Sequence, residues 1–137
     1  MPNWVENRIA FKKEYLDVAK AMVENGICET VDPMPEEIKN TSSPSDTPNW
    51  YNWALEHWGT KWGDVETQLH EEACVLEFQS AWSPLNDEMI EKLLNLFNGT
   101  MKYWWQEEQG FGAQTTWIFH DKTDHKEWDD HYFEGFY

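Results

Sequence analysis

The fold class the sequence predicts is α+β, with the element order β-α-β-β-α-β, and three observations predict it. Short stretches with an apolar period of two alternate with two stretches that carry an apolar face at helical spacing. Turn signals fall at the ends of those stretches: Asn25-Gly26, Asn98-Gly99 and Gly110-Phe111-Gly112. The chain has 137 residues, 40% of them hydrophobic, including 10 Trp, 7 Phe and 5 Tyr. Aromatic side chains bury about 150–250 Å² each, so one chain of this length can build one core.

Residues 3–12 place Trp4, Asn7, Ile9 and Phe11 near a period of two and predict the first strand. Tyr15, Leu16, Val18, Ala19, Met22 and Val23 give one apolar face to a helix over 14–25, and Asn25-Gly26 stops it. Residues 27–49 hold Pro33, Pro35, Pro44 and Pro48 and read as a loop, with 38–49 its flexible part. A short helix over 50–58 follows, with Asn49 or Thr47 as its cap and Gly59 as its end. Residues 64–70 and 73–82 predict a hairpin with Glu71-Glu72 at its tip. Ser83-Pro84-Leu85-Asn86 starts a helix over 87–97 whose face carries Met89, Ile90, Leu93, Leu94 and Phe97.

Residues 100–107 and 114–120 predict the last two strands, joined through Gln109-Gly110-Phe111-Gly112. Without the inserted loop and short helix, the order is that of a ferredoxin-like sandwich with an extra C-terminal strand. The domain spans 1–120. Residues 121–137 read as an acidic aromatic tail packed on the domain or extending from it.

Charge narrows the function classes. Ten Lys plus Arg stand against 26 Asp plus Glu, a net charge of −16, and Arg8 is the one arginine. Such a chain repels nucleic acid and anionic membrane and attracts basic surfaces. A globule of this length measures roughly 35 Å across. B-DNA carries about 20 charges over that distance, so the domain approaches the charge load of duplex. A magnitude of about 2–8 is enough to keep a small domain in solution. No apolar run approaches the ~18 residues of a membrane span, and the first residues lack a basic region followed by an apolar run. The expectation is a cytoplasmic protein with Cys28 and Cys74 reduced.

The acids concentrate between positions 61 and 91. Asp64, Glu66, Glu71, Glu72, Glu77, Asp87, Glu88 and Glu91 stand there against one base, Lys61. Glu66, Glu77 and the Glu71-Glu72 tip belong to the hairpin, and Glu88 and Glu91 lie three apart on the following helix. Crowded like charges cost stability, so a cationic partner that relieves them binds favourably. The other candidate is Trp58-Gly59-Thr60-Lys61-Trp62. Its two indoles, hydroxyl and ammonium are fit to line a pocket for a planar or anionic ligand, or to form a corner of the core.

Catalytic and metal chemistry have weaker signals. Gly110-Phe111-Gly112 lacks the third glycine and following helix of a phosphate loop. His120, Asp121, His125, Asp129, Asp130 and His131 cluster without zinc spacing and read as a solvated tail. Ser80 and Ser83 sit outside any nucleophile elbow. No cofactor, metal or catalytic set is expected, and the chain reads as a binder rather than an enzyme.

Several motifs, in order, resemble the YubB-like family of small phage and plasmid proteins. They are Met1-Pro2-Asn3-Trp4 with Asn7-Arg8, Met34-Pro35-Glu36-Glu37, Trp50-Tyr51, Trp58-Gly59-Thr60-Lys61-Trp62, Phe78-Gln79-Ser80-Ala81-Trp82-Ser83-Pro84, Glu107-Glu108 and Gly110-Phe111-Gly112. The resemblance covers roughly residues 1–120. It implies a ferredoxin-like fold, phage or plasmid origin and no established catalytic residues. Combined with the charge, it sets the functional expectation. The chain is an acidic protein that inhibits a host nucleic-acid-binding defence protein by nucleic-acid mimicry, of anti-CRISPR or anti-restriction type. Its partner is then the basic surface of a nuclease or effector. The alternative is a small-ligand or nucleotide binder, or an enzyme, that uses the Trp-lined pocket.

Overall fold

The computed structural model describes residues 3–41, 49–60, 63–128 and 135–136. Its strands are β1 (Trp4–Phe11), β2 (Val65–His70), β3 (Val75–Ala81), β4 (Met101–Glu107), β5 (Gly112–Ile118) and β6 (Asp121–Trp128). Its helices are α1 (Leu16–Asn25), α2 (Ile27–Val31), α3 (Glu36–Lys39), α4 (Trp50–His57) and α5 (Asp87–Leu96), and a 3₁₀ turn (Lys13–Tyr15) precedes α1. The strands form one open sheet in the order β2-β3-β1-β4-β5-β6, antiparallel at every pairing. This is a small α+β fold, and no helix of the described residues is long and apolar enough to cross a membrane.

Alternation along β1 decides which face is the core. Asn7, Ile9 and Phe11 point to one side and join Leu76, Phe78, Met101 and Tyr103. Met22 of α1 and Met89, Leu93 and the adjoining Phe97 of α5 close over the same side. Phe11 and Phe97 stack at 5.2 Å. Asn86 caps α5 by accepting from Met89 N at 2.9 Å, and Asn49 caps α4 through Asn52 N at the same distance.

Buried polar groups at the centre of the sheet form one network. The Tyr103 hydroxyl donates to Asn7 Oδ1. Asn7 Nδ2 donates to Ser80 Oγ at 2.9 Å, and Ser80 Oγ donates to Ser83 O at 2.7 Å. Leu85 N donates to the Tyr103 hydroxyl at 3.2 Å. Asn7 and Ser80 are fully buried. A buried polar group without a partner costs about 1–3 kcal/mol, so these contacts hold β1, β3, β4 and the loop before α5 in one register.

Two segments depart from the sequence reading. Residues 27–41 form α2 and α3 where a loop is expected, because Ile27, Cys28 and Ile38 each reach the core. The flexible stretch of that loop falls largely on residues 42–48, outside the described residues. The expected tail opens instead with β6, which pairs with β5 from Gly112↔Trp128 to Ile118↔Asp121. Its sequence, DKTDHKEW, has no apolar alternation, because residues 121–127 are all exposed on a sheet edge. Backbone pairing makes this strand, and charges along it suit an edge that must not recruit further strands.

Candidate functional site

The Trp-centred candidate is part of the core where it is described. Trp58 is 8% exposed, and its indole N–H donates to Asp32 O at 2.9 Å. Thr60 is buried, and its hydroxyl donates to Ala81 O at 2.7 Å. Both polar ends are therefore spent inside the fold, and Gly59, at φ +84°, turns the chain between them. Lys61 and Trp62 lie outside the described residues. Trp58 and Thr60 sit as the corner reading has them.

The eight candidate acids divide three ways. Asp64 turns inward. It accepts from Ile27 N at 2.8 Å and from the Cys28 thiol. Burial pushes its pKa up, against the lowering effect of those hydrogen bonds. Burial, helped by Asp64, also pushes the Cys28 thiol up. A side chain at Gly63 would meet Cys28 Sγ at 2.3 Å, so glycine is required for this close approach.

Two acids are held by bases. Glu71 pairs with Lys20 at 3.2 Å, and Glu77 meets His70 Nε2 at 2.9 Å. Burial acts to raise the Glu77 pKa, but the His70 hydrogen bond and the Arg8 guanidinium outweigh it and hold the group low.

The remaining five, Glu66, Glu72, Asp87, Glu88 and Glu91, make no ion pair among the described residues. Glu66 and Glu72 lie on the β2–β3 hairpin, where β2 bulges between Val65 and Gln68 and Glu66 takes φ +54°. Asp87, Glu88 and Glu91 occupy the first turns of α5, whose N-terminal dipole favours them. α5 lines a cleft with β5 and β6, while the hairpin is the other edge of the sheet. The unpaired acids thus form two groups rather than one continuous patch.

Clefts open on the surface among the described residues. The cleft between α5 and the β5–β6 hairpin measures about 350 Å³. A second, of about 280 Å³, opens at one end of the sheet among Trp4, Glu6, Gln79, Gln106, Glu107 and Glu108. There Trp4 N donates to Glu108 Oε1 at 3.1 Å. A third, also about 280 Å³, lies between Arg8, His70, Val75 and Glu77. Arg8 sits over the Trp104 ring at 4.8 Å and pairs with Glu6 at 2.9 Å. The sequence showed Glu107-Glu108 only as neighbours. It is the β1–β4 register, with Val5 opposite Glu107 and Glu6 opposite Gln106, that gathers this end of the sheet into a cleft.

No group of three or more His, Cys, Asp or Glu among the described residues is placed to hold a metal ion. His125 instead shares a hydrogen bond with Thr115 at 2.6 Å. Gly110-Phe111-Gly112 is a β4–β5 turn, with Gly110 at φ +96°.

Comparison with known proteins adds one point. No family model matches the chain, and no curated protein matches it. Among solved structures it is similar to the crystal structure of the protein api92 from Yersinia pseudotuberculosis, described with the family model DUF1281. The TM-score is 0.65 at 9% identity, over 97% of this chain and 100% of that one. At this identity the likeness is one of fold.

Proposed function

We propose that the domain is an acidic binding protein that docks on the basic surface of a host nucleic-acid-binding protein and blocks it. The observation that carries this reading is the fate of the charges. Arg8, Lys20, Lys39, Lys92 and Lys126 are drawn into ion pairs within the fold. Five of the eight acids between positions 61 and 91 stay unpaired among the described residues, on a chain of net charge −16. The fold spends these five of its ten cations and leaves carboxylates at the surface, where a cationic groove gains by meeting them.

The strand order β2-β3-β1-β4 supports reading residues 4–107 as a ferredoxin-like unit extended by β5 and β6. The resemblance to YubB-like proteins supports a phage or plasmid gene acting in the bacterial cytoplasm. Defence nucleases of the CRISPR or restriction type hold nucleic acid in positively charged channels and fit such a partner.

The test is displacement. Purified nucleases of both types are loaded with duplex DNA or guide RNA, and release is measured against salt as the protein is added. Release that weakens steeply with salt, and is lost when Glu66, Glu72, Asp87, Glu88 and Glu91 are changed to Lys, is the expected result. No release from any member of the panel at low salt overturns the reading.

A further inference from the structure

The cleft between α5 and the β5–β6 hairpin sets acids on one wall against an imidazole and an ammonium on the other, unpaired among the described residues. Its helical side presents Asp87 and Glu91, four residues apart on one stripe of α5, with Ile90 and Leu94 on the adjoining stripe as an apolar floor. Its hairpin side presents His120 and Lys122 beside the half-buried ring of Trp117. None of Asp87, Glu91, His120 and Lys122 makes an ion pair among the described residues. Opposite charges on facing walls ordinarily close on each other; here about 350 Å³ separates the walls. That volume lies in the lower part of the ~300–1,000 Å³ range of small-ligand sites.

Three features of the backbone hold the cationic wall in place. The β5–β6 register slips between Thr116 and Trp117, and Lys122 then pairs with Trp117. Directly opposed residues share a face, so Lys122 lies on the side that carries Trp117 and α5. Phe119 and His120 turn the hairpin with φ of +51° and +70°, a conformation that non-glycine residues adopt only when their surroundings fix it. His120 N donates to Gly99 O at 2.8 Å, and a side chain at Gly99 would meet the His120 ring at 2.6 Å. The glycine after α5 therefore makes room for this imidazole.

We propose that this cleft binds a small zwitterion with an apolar body. The ammonium lies at Asp87 and Glu91, the carboxylate at His120 and Lys122, and the apolar part against Trp117 and the floor. An aromatic amino acid meets all three requirements at once. The site uses neither the Trp58 corner nor the hairpin acids. It shares Asp87 and Glu91 with the acids proposed to dock on a basic protein, and Lys122→Gln, which leaves those acids in place, separates ligand binding from docking.

The test uses the full chain labelled with ¹⁵N at its indoles, and L-phenylalanine as the probe. The Trp117 N–H resonance is assigned by its disappearance in Trp117→Phe. L-Phenylalanine moves that resonance saturably. N-acetyl-L-phenylalanine, which lacks the ammonium, and L-phenylalanine amide, which lacks the carboxylate, each bind at least tenfold more weakly. Glu91→Gln and Lys122→Gln, both at exposed positions, each weaken L-phenylalanine binding while leaving the other indole resonances in place. The proposal is overturned if Trp117 does not respond at about 10 mM, tenfold above a ~1 mM dissociation constant. It is equally overturned if the blocked derivatives bind as well as the parent, or if the two variants bind unchanged.

Discussion

At the centre of the sheet Asn7, Ser80 and Tyr103 are buried, and each is hydrogen-bonded to another of the three. At the β5–β6 end Asp87, Glu91, His120 and Lys122 border an open cleft with no ion pair among the described residues. Buried polar groups are expensive to leave unmatched, so matching at the centre is a condition of folding. Charges at the rim keep their hydration, so the fold tolerates them unmatched, and they remain available to a ligand. The contrast separates polar residues that specify the structure from polar residues that act through it.

The comparison breaks most visibly at the network. Asn7→Ala leaves the Tyr103 hydroxyl and Ser80 without their shared partner and opens a small void. It is expected to cost about 2–4 kcal/mol in denaturant unfolding. A loss below about 1 kcal/mol would show that water replaces Asn7 and that the centre is not a matched network.

Asp64 lies between the two regimes, being charged and partly buried. Its folded pKa is raised, so the folded state holds the proton more firmly than the unfolded state does. The stabilising contribution is therefore greatest below the usual Asp value of about 4 and is lost as pH rises through the raised value. Asp64→Asn keeps an acceptor for Ile27 N and removes the buried charge. It should match or exceed the parent in stability at neutral pH, by up to about 1 kcal/mol, with the gain shrinking as pH falls towards 4. Glu77, whose pKa is lowered, has the opposite sign: its contribution is present above the usual Glu value and is lost on acidification.

Phe119 offers a smaller effect. It is 76% exposed and sits at positive φ, so Phe119→Gly removes strain without removing burial. A gain of about 0.5–1 kcal/mol is expected. At the other edge of the sheet, on the exposed β2–β3 hairpin, Glu72→Gln should change stability by no more than about 0.5 kcal/mol.

The elements that carry the core were legible in the sequence. Ile9 and Phe11 show the period of a strand, and Met89, Leu93 and Phe97 show that of a helix, because burial imposes a pattern on the residues that face it. The strand β6 was not legible, since an edge strand held by backbone pairing imposes no pattern on exposed side chains. α2 and α3 were hidden by the prolines around them and are too short to show a period. Among the site residues, acid abundance was visible, but its division was not. That Asp64 caps α2 depends on the close approach of Gly63 to Cys28, and that Lys122 shares a face with Trp117 depends on a register slip. Neither is a local property of the sequence.

The claim that the surface acids are left uncompensated has a direct physical measurement: thermal unfolding of the full chain as sodium chloride is raised from about 10 to 150 mM, which shortens the Debye length from ~30 to ~8 Å. Screening of mutual repulsion predicts a clear rise in Tm for the parent, and a markedly smaller rise when Glu66, Glu72, Asp87, Glu88 and Glu91 are changed to Gln. A Tm that stays constant or falls with salt, or a rise unchanged by the five substitutions, would contradict the account.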